Sequence, residues 1–246
     1  YTRIVAANEV CYKLLKEGVK VKADADSPNN DGSDDFVTVR VVDWQKPENN
    51  RFLLCSQLWI TGEIETRRPD LVGFINGLPL LFVELKAAHK QLIHAYKDNL
   101  ADYKKVIPQL FWFNQAIILS NGVQSKVGTI SSQWEHFADW KKIASESEPR
   151  VVSLETVIRG TCDKTRFIDL IENFILFEDK KSTVKILAKY HQYLGVNQAL
   201  EGLRHIQDVK GKLGGFRELL AAGADITDKD QQGNTALHNA SIKNHS

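Results

Sequence analysis

The sequence contains no methionine and only three cysteines. Cys11, Cys55 and Cys162 are widely spaced and odd in number, which argues against a disulfide framework and against a cysteine-built zinc site. Such sparse usage fits a reducing, cytoplasmic setting. A chain that opens on Tyr1 is not expected to begin at its native first residue. An excess of one charge is also missing. Thirty-two Lys and Arg face 31 Asp and Glu, a net charge of +1. An autonomous strong DNA binder usually carries a marked basic surplus, so any action on DNA would need another component to deliver the chain. No apolar run approaches the roughly 20 residues of a membrane span, and no signal peptide is visible. Nor is there a Gly-x-x-x-x-Gly-Lys-Ser/Thr motif. Gly211-Lys212 lacks the first Gly and the hydroxyl residue, so no P-loop ATP site is expected.

What is present, in 246 residues of which 43% are hydrophobic, suffices for one sizeable core plus an appendage. The chain is organised around Leu71–Lys86. Two apolar, β-prone segments flank Asn76-Gly77, a strong hairpin signal. Both are apolar on both faces, which places them inside a covered sheet. Asp70 stands at the entry, and Glu84 and Lys86 stand at the exit. A buried carboxylate is costly unless it is paired or holds a metal. Glu84 and Lys86, two apart, share a strand face. Asp70 depends on the register. A plain two-residue Asn-Gly loop pairs Ile75 with Leu78 and sets Asp70 opposite Val83, away from Glu84. A three-residue loop or a β-bulge shifts the count by one and brings Asp70 to Glu84's face. Only the shifted version permits joint chemistry. Two carboxylates and an ammonium at a sheet end suit a hard cation such as Mg²⁺ beside a phosphodiester. The plain alternative is a turn-capping Asp and two charges at a fraying strand end.

Along the rest of the chain, residues 4–16 show helical spacing. Residues 23–35 are polar and read as a loop. Strands are expected over 36–44 and 51–60. A helix is expected from Ile93 to Val106, stopped by Pro108. In that helix Asn99 and Tyr103 are four apart and share a face. A strand is read around Ala116–Leu119, ending at Asn121-Gly122, and a further short one over 124–130. Trp134, Phe137 and Trp140 fall on one stripe of an expected short helix, as core aromatics. After a linker at 145–149, helices are expected over 154–159, 164–177 and 183–203. His191, beside Tyr190 and Tyr193, reads as a packed or surface residue.

Pro69-Asp70 followed fourteen residues later by Glu84-Leu85-Lys86 resembles the PD-(D/E)xK nuclease motif. The text around it is similar to one family, the N-terminal nuclease region of the R (motor and nuclease) subunit of type I restriction enzymes. Pro47-Glu48-Asn49-Asn50, Arg67-Arg68-Pro69-Asp70, Asn76-Gly77-Leu78-Pro79-Leu80, Ser120-Asn121-Gly122, Asn173–Asp179 and Lys189–Tyr193 carry the likeness, which runs from about Ile4 to Leu200. It implies an α/β fold, a PD-(D/E)xK restriction-endonuclease-like core with a mixed central sheet flanked by helices, followed by an all-helical segment. It implies a Mg²⁺-dependent endonuclease, with Mn²⁺ as a substitute. Asp70 and Glu84 would hold the metal, the Leu85 carbonyl would add a ligand, and Lys86 would serve the attacking water. Tyr103 and Asn99 would be accessory, matching a Gln-x-x-x-Tyr pair in which this chain has the shorter Asn99. Arg67 and Arg68 would reach a phosphate or form salt bridges at the sheet edge. In related nucleases the first helix often supplies an acidic ligand. Here Ala6 occupies that place, with Glu9 one turn away. The implied partners are DNA and the methyltransferase and specificity subunits of a restriction complex, with no ATP-driven motor in these residues.

The tail is of another kind. Phe216–Asp225 and Gly233–His238 look like the end of one ankyrin repeat and the start of another. The expected organisation is a nuclease domain at 1–150, a helical extension at 151–210 and a partial ankyrin-like segment at 211–246, with a protein partner for the last. Two other functional readings stand beside the nuclease. One is a catalytically weakened nuclease fold that acts as an ankyrin-type interaction module. The other is a structure-specific nuclease such as a junction resolvase. Three costly charges kept together argue for the enzyme.

Overall fold

The computed structural model describes residues 2–22, 36–145, 147–179 and 181–221, with side chains to residue 206. The chain divides into two compact units, Tyr1–Leu194 and Gly195–Ser246. The first opens with helix α1 (Thr2–Glu17) and a small antiparallel pair, β1 (Val19–Lys22) with β2 (Phe36–Val39). Its body is a six-stranded mixed sheet. The strands are β3 (Phe52–Ser56), β6 (Leu71–Ile75), β7 (Leu78–Leu85), β8 (Ala116–Ser120), β9 (Ser125–Gly128) and β10 (Ala138–Asp139), in spatial order β10-β9-β8-β7-β6-β3. Between β3 and β6 lies a short ladder, β4 (Ile60–Thr61) with β5 (Thr66–Arg67). Only β7 and β8 run parallel. A parallel neighbour needs a crossover. Here the crossover is helical: a π-helical turn, Ala95–Leu100, continues into α2 (Ala101–Val106).

The side-chain period of two sorts the central strands between two cores. Leu81 and Val83 of β7 join Ala116 and Ile118 of β8 in one cluster, with Trp140, Val157, Phe167 and Ile171. Phe82 joins Ile117 and Leu119 in the other, with Leu100, Tyr103 and Phe111. The sheet is thus covered on both faces. Helices α3 (Leu154–Thr161) and α4 (Lys164–Asn173) cover one side, and the crossover covers the other. Ser153 and Asp163 cap α3 and α4 by accepting hydrogen bonds from Thr156 N and Arg166 N.

The hairpin adopts the bulged register. Asn76 and Gly77 have φ of 50° and 86° and form a two-residue loop that pairs Ile75 with Leu78. The count then slips. Phe74 pairs with Pro79 but Gly73 pairs with Leu81, leaving Leu80 extra. Leu80 is fully buried and its carbonyl accepts from Gln115 N at 2.7 Å. Pro79, which has no N–H to give a ladder, sits before the β8 pairing begins at Leu81. Gly73 suits the site, since a Cβ there would lie 3.0 Å from the Leu81 Cβ. Asn76 anchors the turn, donating to the Val41 carbonyl at 2.7 Å and to Asn50 Oδ1 at 2.8 Å and accepting from Arg51 N at 2.7 Å.

Several expected elements differ. The strand expected over 36–44 stops at Val39, and the strand over 51–60 at Ser56. The helix expected at 134–143 is a 3₁₀ turn, Trp134–His136, followed by edge strand β10. Its aromatics divide between the cores, Phe137 in one and Trp140 in the other. The extension from 151 is not all-helical. After α4 comes an antiparallel hairpin, β11 (Ile175–Asp179) with β12 (Thr183–Leu187), before helix α5 (Tyr190–Ala221). Val157, Phe167, Ile171, Ile175 and Leu194 belong to a core they share with the sheet, so no break falls at 150. His191 is exposed. The ankyrin-like readings from Ala222 onward lie outside the described residues. Among the described residues no helix is long and apolar enough to cross a membrane.

The β11–β12 hairpin is joined to the body through Lys185, 1% exposed. Its Nζ donates to Asn8 Oδ1 at 2.8 Å, the Asn114 carbonyl at 2.8 Å and Gln115 Oε1 at 2.6 Å. It also lies 5.6 and 5.5 Å from the ring centres of Tyr12 and Phe177. Burial depresses its pKa well below the ordinary lysine range. Three acceptors and two ring faces offset that cost. Lys185→Met should lower stability by about 3 kcal/mol, because it leaves the buried Asn8 Oδ1 and Gln115 Oε1 without a donor and takes one of two donors from the Asn114 carbonyl. Urea unfolding monitored by tryptophan fluorescence checks this, and an unshifted midpoint would mean that the lysine is not the joint.

Candidate active site

The bulge decides which side chains meet. Leu71 pairs with Val83, so the next position, Asp70, faces Glu84 and lies on its side of the sheet. Asp70 Oδ2 accepts from the Leu85 amide at 2.8 Å and Oδ1 accepts from Gln57 Nε2 at 3.0 Å. Its main chain is held as well, because the Asp70 carbonyl accepts from Gln57 N at 2.9 Å. Asp70 is half-buried, whereas Glu84 is 2% exposed.

Glu84 Oε1 accepts from Lys86 Nζ at 3.3 Å. Glu84 Oε2 is buried without a hydrogen-bond partner. Burial, then the charge of Asp70, pushes the Glu84 carboxyl up to about 7, against the pull of Lys86 and the Tyr103 hydroxyl. Tyr103, itself buried, packs edge-on against Phe82 with ring centres 5.7 Å apart. Burial, then the Glu84 charge, raises its phenol to about 12, and a hydrogen bond from Asn99 works the other way. Asn99, Tyr103 and Glu84 are therefore near enough for each to act on the next. Asn99 lies in the π-helical turn and Tyr103 in α2.

Lys86 is placed by the end of β8. Its amide donates to the Ser120 carbonyl at 2.8 Å. Ser120 and Ser125 hydroxyls lie 2.8 Å apart in the interior. Asn121 Nδ2 holds the Lys90 carbonyl at 2.9 Å, and its Oδ1 accepts from Gln124 N at 2.7 Å. Gly122, at φ 83°, turns the chain. The Ser-Asn-Gly segment thus fixes the exit of β7.

The two arginines part company. Arg67 is engaged by Asp102, Nε to Oδ2 at 2.5 Å and Nη2 to Oδ1 at 3.1 Å, and by Glu65 at 2.5 Å. It ties β5 to α2 and is committed to that bridge. Arg68 is exposed and lies 5.0 Å above the ring of Trp59, itself 67% exposed. Glu9 pairs with Lys13 at 2.8 Å, and Ala6 is exposed. Sequence reasoning passed over Gln57, Asp102 and Trp59. Asp102 lies four residues from a charged Asp98 on an unremarkable polar face, and Gln57 lies in a stretch that reads as strand.

The donor set fits a hard divalent cation. Asp70 and Glu84 offer carboxylate oxygens, and the orphaned Glu84 Oε2 is a buried lone pair that a cation would satisfy. Mg²⁺ typically takes one or two carboxylates and keeps its waters. Among the described residues no group of three or more His, Cys, Asp or Glu side chains converges, so this pair with adjacent main chain is the available set.

The raised Glu84 pKa carries a sign. The folded state holds an extra proton between the ordinary value of 4.5 and about 7. The stability it confers is fully present below 4.5 and is lost as pH rises through 7. Glu84→Gln should therefore match the wild type at pH 4 and exceed it at pH 8 by on the order of 3 kcal/mol. Thermal melts at the two pH values check this, and an equal offset at both would remove the strain at Glu84.

Comparison with known proteins follows the same residues. A family described as "Type I restriction enzyme R protein N terminus" matches residues 2–136. The chain is 34% identical over 218 residues to the type I restriction enzyme HindI endonuclease subunit of Haemophilus influenzae, covering 85% of this chain and 20% of that protein. It is 29% identical over 217 residues to the putative type I restriction enzyme MjaIXP endonuclease subunit of Methanocaldococcus jannaschii, covering 78% of this chain and 20% of that one. The chain spans about a fifth of the length of the curated relatives it matches.

Proposed function

We propose, from the premise that this chain belongs to the family of type I restriction enzyme R protein N termini, that it is the Mg²⁺-dependent DNA endonuclease module of such a subunit. One observation carries the reading: the bulged hairpin sets Asp70 against Glu84, whose buried Oε2 has no partner. The core is read as PD-(D/E)xK, with Pro69-Asp70 and Glu84-Leu85-Lys86 as the motif.

Asp70 and Glu84 would hold Mg²⁺, with the Leu85 carbonyl as a further ligand and Mn²⁺ as a substitute. The ion, when bound, polarises a phosphoryl oxygen and activates a water. The chain's own groups do the rest. The Leu85 amide orients the Asp70 carboxylate at 2.8 Å. Lys86, 3.3 Å from Glu84, orients the attacking water and neutralises charge that develops on the phosphate. Asn99 and Tyr103 fix Glu84 from the crossover. Arg68, 5.0 Å from the ring centre of Trp59, meets a DNA phosphate. Arg67 is structural, because Asp102 and Glu65 already occupy it.

The whole subunit's activity belongs to the proposal. These residues carry no P-loop motif, and their near-neutral charge supplies little attraction to DNA. Delivery by the methyltransferase and specificity subunits of a cytoplasmic restriction complex supplies what is missing. An ankyrin-like tail would serve a protein partner.

Lys86→Ala should keep the wild-type melting temperature and lose at least roughly 100-fold in plasmid nicking under Mg²⁺, because it removes a transition-state interaction and little packing. Equal nicking by both proteins would assign the activity to a contaminant. Separately, Mn²⁺ or Mg²⁺ should raise the melting temperature of the wild type but not of Asp70→Ala, since a ligand bound only by the folded state stabilises it. A rise that survives in Asp70→Ala would place the ion elsewhere.

A further inference from the structure

Asp70 and Glu84 are like charges brought together by the sheet, and the repulsion is large enough to act on Glu84. A carboxylate on an Asp has two torsions with which to swing away from such a neighbour. Asp70 is held from two sides instead. The Leu85 amide grips Oδ2 at 2.8 Å and the Gln57 side-chain amide grips Oδ1 at 3.0 Å. The first comes from the sheet itself. The second comes from a residue 13 positions earlier, just past the end of β3.

The backbone at Gln57 is unusual. Its φ is 53°, in the left-handed region that residues with a side chain seldom occupy. Gly or Asn is the ordinary choice there. The conformation points the residue back to Asp70 twice, through its main-chain amide to the Asp70 carbonyl at 2.9 Å and through its side chain to the carboxylate. A local turn alone would be served by glycine; a side-chain amide is needed only for the carboxylate. Strain of this kind persists where surrounding structure over-determines it, commonly at functional sites.

We propose that Gln57 is a positioning residue for the Asp70 carboxylate, holding it toward Glu84 so that both present oxygens to one divalent cation. The inference rests on the nuclease reading above. Gln57 does not itself touch the ion. It donates to Asp70 Oδ1, which leaves lone pairs on both oxygens for the cation and removes the freedom that repulsion from Glu84 would exploit.

Gln57→Gly is the informative variant, because glycine accepts the positive φ and removes only the side-chain bond. Three full-length proteins, wild type, Gln57→Gly and Asp70→Asn, are titrated with Mn²⁺ alone, followed by electron paramagnetic resonance of the free ion. In parallel, hydrogen exchange of the Leu85 amide is followed by NMR in metal-free buffer. Gln57→Gly should melt near the wild-type temperature, bind Mn²⁺ with a Kd raised roughly 10-fold or more, and exchange the Leu85 amide faster, because its acceptor has become mobile. Asp70→Asn should bind Mn²⁺ more weakly still. Equal Mn²⁺ affinity in wild type and Gln57→Gly, or an unchanged Leu85 exchange rate, overturns the inference while leaving the nuclease reading in place. A wild type that takes up no Mn²⁺ overturns that reading and the inference with it.

Discussion

The extra residue at Leu80 is the constraint on which the site depends. Strand side chains alternate faces, so a hairpin closed by Asn76-Gly77 without a bulge would put Asp70 on the core side opposite Val83 and leave Glu84 alone. With Leu80 taken out of the count, Asp70 and Glu84 face each other, and the Leu85 amide falls to the Asp70 carboxylate. The bulge is itself held by its surroundings. Leu80 is fully buried, its carbonyl is occupied by Gln115 N, Gly73 leaves room for Leu81, and Asn76 pins the turn to Val41, Asn50 and Arg51. A register fixed by that many bonds cannot slip without breaking several at once.

The same logic explains why family-like stretches far apart in sequence work together. Asn50 bonds the Asp43 main chain and Asn76, so the Pro47–Asn50 turn supports the hairpin loop. The Ser120–Gly122 turn holds the Lys86 amide and the Lys90 carbonyl. Arg67 bridges to Asp102 on α2, the helix that carries Tyr103. Each of these fixes an end of β6 or β7 or the crossover that covers them.

What the sequence made legible was local. Asn76-Gly77 between apolar runs announced the hairpin, and the continuous apolar β7 announced a strand buried on both faces. Asn99 and Tyr103 at helical spacing announced a shared face. The choice of register stayed open, because the bulged Leu80 is held by the amide of Gln115, which lies far beyond any window around the turn. The β11–β12 hairpin was hidden for a different reason. Ile175–Phe177 continues the apolar pattern of α4 with no Gly or Pro between them, and β12 leads within three residues into α5. Lys185 was invisible as a buried cation because its oxygens lie 177, 71 and 70 residues away. The aromatic stripe of Trp134, Phe137 and Trp140 fits a helix, yet also fits a 3₁₀ turn running into a strand. In the fold Trp140 packs directly on Gly160, where any Cβ would occupy the place of its indole.

The electrostatics of the site bear on how the proposed chemistry is kept in check. Asp70 and Glu84 with Lys86 sum to one negative charge when all are ionised, in a chain whose net charge is +1. Without a cation the pair repels a phosphate, and the burial that lifts Glu84 to about 7 keeps it partly protonated near neutral pH. Under the proposed reading Asp70 and Glu84 would hold a divalent ion, whose charge would favour the ionised Glu84 and offset the local negative charge. Weak global attraction to DNA then has a consequence. With a net charge near zero and Arg68 exposed beside Asp70 in the chain, the local ion alone would not create a high-affinity DNA site. Under the proposed reading, cutting is gated by whatever brings DNA to the sheet end, and the module's own fold supplies the chemistry but not the choice of target.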